Sequence, residues 1–325
     1  MGNARKSINV LLSAPHAGCR SLPHSRFHCV EGKEFSNIKA LVNGDLCLRN
    51  PKSLVLALML AIAAGQPGAR AEVPSFWDAK QRLAKPDMTP FQRLRFLTTT
   101  DFFPFNFLDT DRRLNGLHID LARAICNELG MLDRCQIQAL PFEELESALQ
   151  RGDGEAVIAG LAITAESREK FLFSRSYMMF PARFVTRRDV QLSEPIYKAI
   201  AGRRVGVVSG TAHETMLRDL FTQATLVSFP GERELENALT QGSVDAIFGD
   251  GMRLSFWLPS EAAKNCCVFV GGAYIAPEYL GRGLAIAVRS DQPTLAQALN
   301  YALQEIDADG TLSDLYLRYF PVNFY

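Results

Sequence analysis

The chain lacks an apolar run long enough to cross a bilayer. Its longest, Ser53–Ala64, holds about 12 residues, where a spanning helix needs about 20. It also lacks a surplus of either charge: 35 Lys and Arg stand against 35 Asp and Glu. That balance is unevenly spread. Nine of the basic residues but only three of the acidic ones lie in positions 1–71, which leaves 26 basic and 32 acidic residues beyond, a formal −6. A mildly acidic body has neither the electrostatic footprint of a nucleic-acid binder nor the polybasic stripe that holds a protein on anionic lipid. No low-complexity linker interrupts it. No Ser-His-Asp set or metal-ligand spacing is legible, Gly206–Gly210 is not G-x-S-x-G, and Gly281-Arg282-Gly283 does not open G-x-G-x-x-G. Neither a cofactor nor a metal is expected.

What is present is globular: 47% hydrophobic, 10% aromatic and 22% charged residues, enough for one large core or two ordinary ones. The Ser53–Ala64 run suits the core of a secretory signal. Arg49 and Lys52 supply a positive flank, Gly65–Gly68 a break, and Ala69-Arg70-Ala71 an A-x-A cleavage site. Residues 49–71 are therefore expected to be a signal peptide and the mature chain to begin at Glu72. A buried core helix is the alternative, and the flanks fit it less well. Residues 1–48 have no hydrophobic period and read as an extension ahead of the true start.

Seven cysteines divide the same way, with Cys19, Cys29 and Cys47 in the extension. Cys126, Cys135, Cys266 and Cys267 remain, an even number for an oxidising compartment. Cys126 closes a helical pattern and Cys135 opens the next strand, so a Cys126–Cys135 disulfide is expected over a pair of free buried thiols. Adjacent Cys266 and Cys267 rarely bridge without strain and do not have metal-ligand spacing; no function is assigned to them.

Two stretches carry the same order of elements. The first predicts strand Leu94–Thr98, helix Leu117–Leu129, strand Gln136–Leu140, helix Phe142–Gln150 and strand Ala156–Ala159. Leu117, Leu121, Ile125 and Leu129 share one helical face. The second predicts strand Arg204–Val208, helix Ala212–Phe221, strand Leu226–Phe229, helix Glu232–Thr240 and strand Asp245–Gly249. Short apolar strands alternating with amphipathic helices indicate parallel α/β units. Ala148–Gly160 aligns without a gap on Ala238–Asp250, which places Gly160 and Asp250 at strand carboxyl ends, where open α/β sheets bind ligands. Ala182–Arg187 and Leu284–Val288 are two further β-prone runs, expected to cross between the halves as a hinge. The tail from Pro293 to Tyr325 should then return to the first half.

Candidate ligand-holding residues follow from these positions. Arg168 at a strand–helix turn could grip a carboxylate bidentately; alone, it reads as a solvated arginine. Gly210-Thr211 opens a helix whose free N–H groups and Thr hydroxyl make an anion site, or a simple cap. Asp250 needs a partner, which an ammonium group or Arg253 could supply. Phe102, in Phe102-Phe103-Pro104-Phe105, and Phe142 could stack on a ligand, although aromatic residues are more often core.

In order, these pieces resemble the bacterial extracellular solute-binding proteins of family 3, polar-amino-acid receptors of ABC transporters. Thr99–Phe107 is similar to the family's Tyr-x-Pro-Phe segment, and Gly116–Ala122 to its Gly-Phe-Asp-x-Asp-Leu-Ala signature. Ala159–Arg168 with Phe173–Tyr177 is similar to its Gly-x-Thr-Ile-Thr-Pro-Glu-Arg and Phe-Ser-x-Pro-Tyr block. Val205–Thr211, Asp245–Asp250 and Asp309-Gly310-Thr311 with Leu315-Tyr316 complete the series, which covers about Leu94 to Phe320.

The resemblance implies a type II periplasmic-binding-protein fold, two α/β lobes joined by a two-strand hinge. The first lobe would span 72–183 and 289–325, and the second, with the hinge strands, 184–288. Arg168 and Thr211 would hold a ligand's carboxylate and Asp250 its ammonium; Phe102 and Phe142 would clamp its side chain beside Gly160 and Ala162. The protein would be a monomer in the periplasm, closing on a small amino-acid-like or carboxylate ligand and presenting it to a permease. Three departures stand out. His118 replaces the first signature Asp, Ala162 replaces a Ser or Thr hydroxyl, and Arg168 follows Thr164 by four residues rather than three. The rival readings are an enzyme on the same scaffold, similar to a cyclohexadienyl dehydratase and drawing on His118, His213 or Glu214, and a free-standing sensor or dehydrogenase accessory protein.

Overall fold

The structure, a computed structural model, describes residues 74–78 and 80–325. The extension, the signal segment and Cys19, Cys29 and Cys47 lie outside the described residues. Among those described, no helix is long and apolar enough to cross a membrane.

In chain order the first part runs β1 (Leu94–Thr98), β2 (Asp101–Phe102), β3 (Asn106–Leu108), β4 (Leu114–Asn115), α1 (Leu117–Glu128), β5 (Cys135–Ala139), α2 (Leu145–Arg151), β6 (Ala156–Val157), α3 (Ala165–Lys170) and β7 (Phe171–Phe173). The second runs β8 (Ala182–Arg187), α4 (Ile196–Ala199), β9 (Arg204–Val208), α5 (Ala212–Leu220), β10 (Thr225–Phe229), α6 (Glu232–Thr240), β11 (Ala246–Asp250), α7 (Gly251–Trp257) and β12 (Cys267–Tyr274). Then follow α8 (Pro277–Leu280), β13 (Ala287–Arg289), α9 (Pro293–Ala308) and α10 (Thr311–Tyr319).

Two five-stranded sheets have matching plans, β5-β1-β6-β13-β7 and β10-β9-β11-β8-β12. In each, three strands are parallel and the fourth is antiparallel to its neighbours. That fourth strand arrives from the other sheet: β8 enters after β7, and β13 after β12. Both crossing segments leave from a carboxyl edge. β7 runs parallel to β6, and Tyr274, at the end of β12, pairs with Ala182 beside Asp250. The carboxyl edges of the two sheets therefore face each other across the hinge.

The crossings also hold one another. Tyr177 N donates to Leu284 O at 2.9 Å and Leu284 N to Met178 O at 2.8 Å. A side chain at Gly283 would place Cβ 2.2 Å from Met178 O, and its φ of +76° is left-handed; only glycine fits there.

The expected face of α1 is buried: Leu117, Leu121 and Ile125 pack with Phe96 of β1 and with Leu295, Leu299 and Leu303 of α9. The tail thus completes the first core. Its tip reaches further. The Arg183 guanidinium, buried on β8, donates to Phe324 O, Tyr325 O and Gly271 O and lies 4.5 Å from the Phe269 ring. The Tyr325 hydroxyl donates to Met179 O at 2.6 Å. Cys126 and Cys135 are bonded. So are Cys266 and Cys267, contrary to the expectation for adjacent cysteines; the turn before them holds Lys264 and Asn265 at positive φ.

A polar chain threads the first core. His118, fully buried, has Nδ1 2.7 Å from Asn106 Oδ1 and Nε2 2.7 Å from the Tyr177 hydroxyl, and Asn106 Nδ2 donates to Thr99 Oγ1. Burial drops the imidazole from 6.5 to about 3.

Two predictions follow from these contacts. The Cys126–Cys135 bond spans a sequence separation of 9, so Cys126→Ala/Cys135→Ala should lower unfolding free energy in urea by roughly 2–3 kcal/mol. For His118, below pH 6.5 the unfolded chain binds a proton that the folded ring refuses. Its contribution is complete above that pH and is lost as pH falls toward about 3, at about 1.4 kcal/mol per unit. Urea midpoints between roughly pH 6 and 4.5 should therefore fall less steeply in His118→Gln, by about one proton's worth of slope. Equal slopes would show that the ring is not refusing a proton.

Candidate ligand-binding site

The first sheet's carboxyl edge carries a cavity of about 290 Å³ lined by Thr99, Asp101, Phe102, Phe142, Ala159 and Gly160. Each comes from the loop after a parallel strand: β1, β5 and β6. The Phe102 loop is anchored on α1, where Leu117 N and His118 N donate to Pro104 O and Phe105 O, and its ring stacks 4.6 Å from Phe105. Gly160, at φ +77°, lets that ring approach; a Cβ there would lie 3.0 Å from Phe102 Cε1. Phe142 is half-exposed, at 51%, so one face is open to a ligand.

Arg168 lies elsewhere. Ser167 occupies the third position of α3 and closes a reciprocal cap with Thr164, its N donating to Thr164 Oγ1 while its Oγ accepts from Thr164 N. The guanidinium, one residue on, is exposed and lines a flanking cavity of about 350 Å³ with Arg175, Ser176, Arg282 and Asn300. Ala162 is exposed on the turn between the two cavities, and its carbonyl accepts from Ser167 Oγ.

The facing edge of the second sheet carries Thr211 and Asp250 as the caps of α5 and α7, after the paired strands β9 and β11. Thr211 Oγ1 donates to Val208 O and accepts from Glu214 N. Asp250 accepts from the backbone N of Arg253 at 3.0 Å. The Arg253 guanidinium turns away from it, to Glu232 at 2.6 Å and Glu236 at 2.8 Å. One Asp250 oxygen is left without a hydrogen-bond or ion-pair partner among the described residues. His213 sits beside it. Burial lowers that imidazole, with Asp250 opposing the shift and Arg253 reinforcing it. Burial raises the Glu232 carboxyl, and although Arg253 draws it back, nearby Glu236 and Asp250 add to the rise.

Phe102, Phe142 and Gly160 thus share one cavity and Thr211 and Asp250 the opposite edge, while Arg168 and Asp250 share neither cavity. Sequence reasoning missed Thr99, Asp101, Glu232 and Glu236. Thr99 and Glu232 had a signal, since each follows a predicted strand. Glu236 had none, because its role depends on Arg253, 17 residues on.

A chain described as arginine-binding protein 2 of an ABC transporter in Escherichia coli K12 is 32% identical over 232 residues, 71% of this chain and 92% of that one. Among solved structures, the second substrate-binding domain of GlnP from Lactococcus lactis superposes with a TM-score of 0.59 at 19% identity, over 74% of this chain and 100% of that one. An ancestral cyclohexadienyl dehydratase gives 0.60 at 20% identity, over 72% and 95%. At those identities the two structures show the fold alone, a type II periplasmic-binding architecture. The family model for bacterial extracellular solute-binding proteins, family 3, matches residues 94–322, and this chain belongs to that family.

Proposed function

We propose that the protein is the exported receptor of an ABC importer, a periplasmic monomer whose two lobes close on a small amino-acid-like solute and present it to a permease. The observation that carries this reading is the free Asp250 oxygen on an edge that faces an aromatic cavity. The Arg253 guanidinium, three residues along, is held instead by Glu232 and Glu236. A carboxylate so placed suits an incoming ammonium. The backbone N–H groups that open α5 at Thr211, whose hydroxyl is spent on Val208 O, suit the carboxylate of the same solute. Phe102 and Phe142 clamp the side chain over Gly160 and Ala162, and Arg168 swings from the flanking cavity to the carboxylate as the lobes close. The relative named for arginine supports an amino acid as the solute class.

No chemistry on the solute is needed. Of the three groups a dehydratase-like rival would use, His118 is enclosed and Glu214 is bonded to Gly210 N, Ser228 and Arg218, which leaves His213, beside Asp250, as its one open candidate among the described residues.

Calorimetry and thermal shift against the amino acids and small carboxylates should identify a stabilising solute. Asp250→Asn should weaken it by roughly 10- to 100-fold, the value of one charge-assisted hydrogen bond. Phe102→Ala should weaken it by about threefold or more. Arg168→Ala should weaken it too if that guanidinium travels; unchanged affinity would leave Arg168 outside the site. Wild-type affinity in Asp250→Asn, or turnover of prephenate or arogenate, would overturn the receptor reading.

A further inference from the structure

We propose that the flanking cavity beside the crossings is a second binding site, which takes a small oxyanion carrying two or more negative charges, and that this anion opposes solute binding by holding Arg168. The opposition rests on the proposed travel of Arg168 to the solute; the site itself does not.

The cavity, about 350 Å³, is lined by three arginines, Arg168, Arg175 and Arg282, and by no acidic residue. Arginines elsewhere meet acids: Arg93 meets Glu155, Arg253 Glu232, Arg289 Asp291 and Arg318 Asp120. The guanidinium groups of Arg168 and Arg282 have no hydrogen-bond or ion-pair partner among the described residues. Arg175 is held in place: its guanidinium donates to Gln81 Oε1 at 2.6 Å and lies 5.2 Å from the Trp77 ring. Three cations around one small space repel one another, and a multivalent anion between them relieves that repulsion.

The matching of donors and acceptors around the cavity points the same way. Ser176 Oγ donates to Arg282 O at 2.5 Å, and Ser174 Oγ donates to Arg175 O while accepting from Ile286 N. Asn300 Oδ1 accepts from Arg175 N at 2.7 Å. Both hydroxyl protons and the Asn300 oxygen are thereby engaged. The protons still to be given belong to the Asn300 amide and the guanidinium groups. A ligand made of acceptors, whose oxygens take two N–H bonds at once, fits that set.

Position gives the site its reach. Ser176 and Met179 belong to the crossing between β7 and β8, and Pro277 and Arg282 to the crossing between β12 and β13. Arg168 and Asn300 belong to the first lobe, on α3 and α9. An anion seated here is flanked by both crossings, which are bonded to each other at Met178 and Leu284. While it binds Arg168, that guanidinium is withheld from a solute carboxylate. Anion and solute are therefore antagonists, each weakening the other by the same factor.

The test is calorimetry on the solute-free protein, with inorganic phosphate and citrate as probes and chloride as the control. All three arginines are exposed, so salt competes and ionic strength is held low and constant. Phosphate, citrate or both should bind with a Kd of about a millimolar or tighter, and the arm that responds identifies a phosphate or a carboxylate source. No binding by either, or equal binding by chloride, would overturn the site. Arg175→Ala and Arg282→Ala should each weaken the anion by about tenfold. Arg113→Ala, which removes the same charge beside Asp111, should leave it unchanged; an equal loss there would reduce the effect to net charge and overturn the site. The amino acids are then titrated with and without saturating anion. The one that binds should do so about tenfold more weakly in its presence, and Arg168→Ala should abolish that difference. An unchanged affinity in the wild type, or a difference that survives Arg168→Ala, would overturn the antagonism. Failure of every amino acid to bind would sink the receptor reading and the antagonism together, while the phosphate and citrate arms still decide the site.

Discussion

The arrangement depends on one exchange: each sheet takes its antiparallel strand from a segment that has just left the other. β8 and β13 are the exchanged strands, and the crossings that deliver them are bonded to each other at Met178 and Leu284. Because both crossings depart from carboxyl edges, those edges are made to face each other. A cleft lined by the loops after β1, β5 and β6 on one side and β9, β10 and β11 on the other is then a result of topology, before any side chain is considered. Gly283 is where this geometry is least forgiving, since the carbonyl of Met178 lies where a Cβ would be.

The two edges are chemically unlike. The first presents the Phe102 and Phe142 rings over a core threaded by neutral hydrogen bonds. The second presents carboxylates at helix starts, with one arginine locked between two of them. Asp101 aside, charge gathers on one wall and aromatic surface on the other. Arg183 adds a different restraint. By holding the carbonyls of Phe324 and Tyr325, it fastens the returning tail to β8, so the tail belongs to the first core and yet touches the second sheet.

Much of this was legible in order and spacing. The inner parallel strands of both halves fell where short apolar runs placed them, because burial on both faces of a parallel strand demands a continuous apolar stretch, while the edge strands β5 and β10 alternate with exposed polar residues. Cys126–Cys135 was legible because a helix end and a strand start nine residues apart meet. Cys266–Cys267 was not, since neighbours in sequence say nothing about the turn that precedes them. His118 drew notice only as a departure from a signature; its partners, Asn106 and Tyr177, lie 12 and 59 residues away.

The sequence by itself determined the elements, the two like halves, and the placing of Phe102, Phe142, Gly160, Thr211 and Asp250 at strand ends, because periodicity and glycine stops are local properties of the chain. Only the tertiary structure decided which way polar groups point. Arg253 turns to Glu232 and Glu236 instead of Asp250, Arg168 is rotated onto a flank by the Thr164–Ser167 cap, and Thr99 is bonded through Asn106 to a buried chain. Such choices are set by competition among partners distant in sequence, and the winner is fixed only once packing brings all of them within a bond's length.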